Sequence, residues 1–366
     1  MLAAGMLAAL VLVHLPARAE GDTQPAAAIF YPALPDPPRL QLLTTLTGER
    51  DLGSPPSAFA KFILGDDDAA QQLVQPYGTA MFKGRLYVVD TGAAGVAVFD
   101  LAARRFSYMA GAANGQFRRP INIRIDSDGT KYITDTGRDQ VLVYDANDRF
   151  VAAYGKEGQF RPTDVAIGTD RLYVTDVQHH QVHVLDKRSG KPLFSFGKPG
   201  SGEGELFHPT NIVLGPEGDL YVSETSNFRI QRFTADGKPV RSYGAVGSTP
   251  GSFARPKGLA IDRTGRMYVA DAAFENVQLF GPEGKLLLFF GQDGKPMDRM
   301  HLPAGVGIDY DNVELFRKYA DPNFRIEYLI LVTSQFGPNK VDVYGFGRMA
   351  GIEYPGEADL AVNTPR

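Results

Sequence analysis

The chain has 366 residues, with 38 Lys and Arg against 42 Asp and Glu, a formal net charge of −4. That balance leaves no basic footprint for bulk binding to nucleic acid or to anionic membrane. Cysteine is absent, which excludes disulfides, a lipid-anchored N-terminal Cys, haem attachment through C-x-x-C-H, iron–sulfur clusters and thiol catalysis.

Residues 1–19 read as a signal peptide. Leu2 to Leu15 is an apolar run, and Ala17-Arg18-Ala19 gives the small-x-small pattern of a signal-peptidase site. The run is too short for a comfortable membrane span, and no Lys or Arg precedes it, so the true start is expected upstream. Cleavage after Ala19 predicts a soluble periplasmic or secreted protein; removing Arg18 leaves 37 basic against 42 acidic residues, a net charge of −5. Residues 20–38, rich in Pro and Ala, carry no periodic pattern and are expected to form an extended, poorly ordered lead-in.

Residues 39–348 are organised by repetition. Pro76, Pro120, Pro162, Pro209, Pro256 and Pro303 each open the same phrase, at steps of 44, 42, 47, 47 and 47 residues. Repeat two shows it best: Ile121 to Ile125 alternates as a strand, Asp126-Ser-Asp-Gly129 is a turn cluster, and Tyr132–Asp135, Val141–Tyr144 and Phe150–Tyr154 are three more strands. Leu172–Asp176, Leu220–Glu224 and Met267–Asp271 copy its second strand. A period in the forties made only of short strands predicts an all-β, six-bladed β-propeller of four-stranded antiparallel blades.

The pattern Gly-x-Phe-x-x-Pro, Tyr-Val-x-Asp, a short polar loop and an apolar strand resembles the NHL repeat over roughly residues 75 to 345. The namesake Asn-His-Leu positions fall at His179-His180-Gln181, Asn227-Phe228-Arg229 and Phe274-Glu275-Asn276, where only His180 and Asn227 keep the family letters. The resemblance implies the propeller scaffold and leaves function to loops and pore.

Strand counting predicts how the ring closes. Blades one to five supply four strands each, the fourth of blade one lying near Phe106–Met109. The sixth repeat has three: Gly305–Ile308, Tyr328–Val332 and Val341–Tyr344. Leu40–Leu46, a spare strand before repeat one, is expected to pair outside Val341–Tyr344 and complete blade six, leaving no large open edge. Between the first two strands of that blade lies an insertion, 310–327. Asp311 with Glu314 resembles a capping box for a short helix over Val313, Leu315, Phe316 and Tyr319, read as a decorated loop more readily than as a docking element. Residues 349–366 are left as a C-terminal tail.

In such blades the approach to the first strand and the loop between strands two and three share one face. Arg119, Arg161, His208 and Arg255, each just before its proline, therefore gather with Arg138, His179, His180 and Asn227. This arc is the candidate binding surface for an anionic ligand or a protein partner, since the Arg fork suits carboxylates and phosphates. The competing reading is solvated side chains bonded to neighbouring loop carbonyls. At the second position after each proline, Asn122, Asp164 and Asn211 offer oxygen ligands of the kind Ca²⁺ accepts. Gluconolactonase-like and peptidyl-hydroxyglycine-lyase-like propellers, which this chain resembles at fold level, use a metal in the tunnel.

Asp90, Asp135, Asp176, Glu224 and Asp271 form a ring of acids, one per blade, at the end of strand two. Equivalent groups suit turn capping, whereas catalysis needs an asymmetric pair; no catalytic residue is assigned. His180 and His183, three apart on a strand, point to opposite faces, and His179 could join His180 only through the loop, so no zinc site is expected. These readings predict an exported, monomeric, non-enzymatic scaffold that binds another exported or envelope protein. The alternative is a Ca²⁺-dependent hydrolase or lyase of lactonase type working in the tunnel. RNA binding is disfavoured by export and negative charge.

Overall fold

The computed structural model describes residues 28–53, 70–109, 111, 113–291 and 299–354; the predicted signal peptide lies outside them. Six antiparallel sheets form a ring, and helix is confined to short 3-10 turns among the described residues. The innermost strands are Pro76–Phe82, Pro120–Ile125, Pro162–Ile167, Pro209–Leu214, Pro256–Ile261 and Pro303–Asp309, each touching the next and the last touching the first. The expected six-bladed propeller is the observed fold.

Proline opens every inner strand because that position needs a fixed φ and no ladder N–H. Just beyond it the register slips in each blade, for example between Pro120 and Asn122, and between Pro209 and Asn211. These bulges bend the strands into the tunnel wall. Strands two and three are buried nearly throughout, as in Leu86–Val89 and Val141–Tyr144, since neighbouring blades cover both their faces. Fourth strands such as Pro192–Phe196 and Pro239–Tyr243 face solvent, and their leading prolines blunt the exposed edge. Threonine hydroxyls stitch blade to blade: Thr134 donates to the Thr163 carbonyl, Thr225 to Pro256, and Thr333 to Tyr77 across the closing junction.

Blade six closes as the strand count predicts. Leu40 pairs with Phe346 and Leu46 with Val341, and Thr45 Oγ1 donates to buried Asp342 Oδ1 at 2.7 Å. Its strands are longer than expected, Phe324–Ser334 and Val341–Met349. The described part of the lead-in is a correction: Ile29–Tyr31 is a buried strand that pairs with Leu40–Leu42, giving blade six a fifth strand. Tyr31 packs against Phe290 of blade five and Tyr344 of blade six. The start of the tail folds back likewise, with Tyr354 Oη donating to the Pro38 carbonyl at 2.8 Å.

The insertion differs from the helix expected. Val313–Leu315 and Arg317–Tyr319 are two 3-10 turns, and the cap is Asp309, whose Oδ1 accepts the Asn312 and Asp311 N–H groups. Val313 and Phe316 are buried between blades six and one, and Asn312 Oδ1 accepts the Gly84 N–H of blade one at 2.7 Å. The insertion clamps a joint of the ring.

Candidate functional site

Each acid ending a second strand is fully buried and organises the loops above it. Asp135 accepts the N–H groups of Arg118 and Arg119 before the proline and of Gly137 and Arg138 in the following turn, at 2.8–3.2 Å. Asp90 and Asp271 do the same in blades one and five. The acids therefore cap both loops rather than the following one alone, and blade six keeps a weaker version, with Ser334 Oγ accepting the His301 N–H at 3.3 Å. Four residues after each acid, Ala94, Asp139, His180, Phe228 and Glu275 adopt positive φ of 50–57°. That left-handed corner is the namesake-histidine position of the repeat, and it turns the chain into strand three.

The eight candidate residues of this face fall into two groups. Arg138 is tied to the Gln116 carbonyl and Gln140, and Asn227 to the Gly200 carbonyl and Glu224. His180 Nδ1 accepts the His208 N–H at 3.0 Å while its ring stacks on Phe207, and His208 Nδ1 meets Ser226 Oγ at 2.9 Å. Burial, then His208, holds the His180 imidazole below its ordinary pKa, in keeping with a lone pair on Nδ1. His179 Nδ1 sits on Asp176. These five side chains are joined to the scaffold.

Arg119, Arg161 and Arg255 are different. All three are exposed, and among the described residues no side chain pairs with them. Several basic residues elsewhere do meet carboxylates: Arg85 with Asp100, Lys131 with Asp148, Arg229 with Glu224, Arg232 with Asp219 and Arg266 with Asp262. The acids nearest the three arginines are occupied by backbone N–H groups, so the guanidinium forks stay open to solvent.

Lys257 adds a fourth cation that sequence reasoning missed. It follows Pro256 directly and places Nζ 5.4 Å from the Tyr77 ring centroid, with no carboxylate bonded to it. Burial, then Arg255, pulls its pKa down to about 8. Gly258 and Gly305 permit the reach, because a Cβ at either would collide with the neighbouring inner strand's backbone. Buried Tyr77 lies near enough to Asp164 and Arg255 to feel both; burial first, and then Asp164, raise its pKa.

Within the tunnel, Asp164 is fully buried and its two oxygens face the Arg124 fork, at 3.1 Å to Nε and 2.6 Å to Nη2. Asp164 also accepts the N–H groups of Val165 and Ile212 and the Asn211 amide. Asn122 Oδ1 accepts the Ile123 N–H, and only Asn211 Oδ1 remains without a partner. Asp164 and Asn211 come together, whereas the Asn122 oxygen is bonded to its own strand, and the set does not fit Ca²⁺: a guanidinium, not an ion, faces its only carboxylate. Arg124 also lines a cavity of about 250 Å³ with Met81, Ile125, Val165, Val213 and Ile308.

His180 and His183 point apart as expected, His180 toward His208 and His183 toward Asp176, but a third pairing was not foreseen. His179 sits in the turn and His183 in strand three, yet both reach one atom: Asp176 Oδ2 lies 2.6 Å from His179 Nδ1 and 2.9 Å from His183 Nε2. Asp176 Oδ1 meanwhile accepts the N–H groups of Arg161, Gln178 and His179. Burial opposes ionisation of Asp176, but the bonds from His183, His179 and these N–H groups outweigh it and bring the carboxyl down to about 2.

No family model matches the chain. Over 104 residues it is 36% identical to a peptidylglycine alpha-amidating monooxygenase of Rattus norvegicus, covering 26% of this chain and 11% of that protein. A probable peptidyl-alpha-hydroxyglycine alpha-amidating lyase of Caenorhabditis elegans shares 27% over 100 residues, 26% of this chain and 29% of that one. Protein brain tumor of Drosophila melanogaster shares 34% over 73 residues, 19% of this chain and 7% of that one. The chain is a distant NHL-repeat-like propeller. It spans less than a third of the length of each of these relatives.

Solved structures agree on the fold. A gluconolactonase of Xanthomonas campestris superposes with a TM-score of 0.55 at 18% identity, covering 88% of this chain and 99% of its own. A streptogramin B lyase gives 0.51 at 15%, over 75% and 83%. An auxiliary nutrient binding protein of Bacteroides thetaiotaomicron gives 0.56 at 14%, over 76% and 71%. Likeness at these identities is one of architecture. No helix among the described residues is long and apolar enough to cross a membrane.

Proposed function

We propose that this NHL-like propeller is an exported binding scaffold whose proline-side face receives an acidic surface of another exported protein. One observation carries the reading: Arg119, Arg161 and Arg255, at the same position of three blades, are exposed without carboxylate partners among the described residues, and Lys257, bonded to no carboxylate, lies near Arg255. Planar forks offered to solvent on one rigid face suit partner carboxylates, which they can engage in bidentate fashion. An ion-assisted hydrolase or lyase reading finds less support, because the Asp164 carboxylate it needs is held by Arg124.

A poly-glutamate peptide serves as probe. Calorimetry at low ionic strength is expected to show binding that weakens as salt rises, and Arg119→Glu, Arg161→Glu and Arg255→Glu together are expected to abolish it. Undiminished binding by the triple variant would refute the assignment of this face. Bound carboxylate also raises the Lys257 pKa from about 8 toward the ordinary lysine range, a change that lysine side-chain NMR reads directly. Thermal unfolding of metal-free protein is expected to be unmoved by added Ca²⁺; a rise of the midpoint with Ca²⁺ favours the tunnel reading.

A further inference from the structure

We infer that Asp176, His179 and His183 form a binding site for a single divalent ion of the zinc type on the rim of blade three. The two imidazole nitrogens and the carboxylate oxygen all lie within 4.8 Å of one another, and they come from a turn and two adjacent strands of one sheet. His183 is held by its ring contact with Phe160, 5.2 Å between centroids. The His179 side chain is 38% exposed, so the group opens to solvent on one side. Two imidazoles and one carboxylate are ligands that zinc accepts, and the open side leaves a fourth position to water or a partner's side chain.

Comparison with the next blade shows what is special. Glu224 occupies the place of Asp176 and is bonded by Asn227 Nδ2 at 2.6 Å and Gln231 Nε2 at 2.6 Å. Asn227 and Gln231 stand three and seven residues after their acid, the offsets of His179 and His183 from Asp176. Blade four thus builds its hub with amide nitrogens, which only donate protons. Blade three builds the same hub with imidazoles, whose nitrogens can give up the proton and present a lone pair instead. An ion can therefore replace the two N–H···O contacts at Asp176 Oδ2, which open from 2.6 and 2.9 Å to the roughly 3.3 Å between tetrahedral zinc ligands while the displaced protons pass to solvent.

This inference does not rest on the acidic-partner reading, and its test uses metal alone. Zn²⁺ and Co²⁺ are titrated into protein lacking a polyhistidine tag, by calorimetry and by the Co²⁺ visible spectrum. One equivalent is expected to bind, with proton release that varies with buffer. His179→Asn with His183→Gln restores the blade-four hub, keeps the internal hydrogen bonds and is expected to weaken binding roughly a hundredfold or more. Unchanged thermal unfolding of that variant without metal shows that the fold is intact. His180→Asn is expected to leave affinity unchanged, since His180 is turned toward His208. The assignment is overturned if the wild type takes up no metal at millimolar concentration. It is overturned equally if the double variant binds as well as the wild type, or if His180→Asn removes the site.

Discussion

Blades one to five and blade six solve one problem in two ways. Each regular blade pins its loops from within through a buried acid: Asp135 gathers four backbone N–H groups from two loops, and Glu224 one backbone N–H with the side chains of Asn227, Arg229 and Gln231. Blade six has Ser334 at that position and a single long bond from His301. It is instead held laterally, by strands of 11 and 9 residues and by two more strands contributed from residues 29–46. A repeat can lose its internal pin when its edges are sealed, and the closing blade is where sealing is available.

Removing residues up to Leu46 attacks the lateral solution and carries the largest expected effect. The truncated chain exposes the edge of Val341–Met349 and part of the Tyr344 and Phe346 packing. It is expected to lose its cooperative unfolding transition and to associate, seen by circular dichroism and size-exclusion chromatography. An unaltered melting curve would show that packing alone holds the ring.

The internal solution is tested by Asp135→Ala, which strands buried donors and is expected to cost about 3 kcal/mol or more in denaturant unfolding. Ser334→Ala at the matching position is expected to cost about 1 kcal/mol or less. Equal losses at the two sites would erase the distinction between the blades.

Acid sharpens the comparison further. Asp176 sits at about 2 in the fold against about 3.9 unfolded, so the unfolded chain takes up the proton first as pH falls. The stabilisation is fully present above pH 4 and is lost between about pH 4 and pH 2, on the order of 2 kcal/mol. The stability gap between wild type and Asp176→Asn is expected to narrow by that amount from pH 6 to pH 2.5.

A similarly small effect is expected at the joint of blades five and six. There Tyr328 Oη donates to Asp262 Oδ2 at 2.9 Å and meets Tyr268 Oη at 2.6 Å. Tyr328→Phe is expected to cost about 1 kcal/mol in urea unfolding.

The ring was legible in the sequence because proline spacing and strand alternation recur six times, and because one repeat visibly lacked a strand that another segment could supply. Ile29–Tyr31 escaped because three residues flanked by Pro32, Pro35, Pro37 and Pro38 carry no period to read. The capping role of the acids was readable from its repetition, though not its reach back across the proline. The meeting of His179 with His183 was missed because only the pairs His180–His183 and His179–His180 were weighed, although residues four apart share a face of a strand. Lys257 left a signal that went unused: the first residue after the proline is Tyr77, Ile121, Thr163, Thr210 and Ala304 in the other blades, and only blade five puts a charge there. Arg124 gave none, since its partner Asp164 belongs to a different blade 40 residues away.

The bond from Thr45 to Asp342 spans 297 positions of the chain. During synthesis the hairpin of Ile29–Tyr31 and Leu40–Leu46 therefore has no inner neighbour until Val341–Met349 has emerged. Such late, distant pairing is slow by its topology. It leaves a long interval in which the nascent protein is an unsealed arc, open to handling as a flexible thread, before the final segments lock it shut.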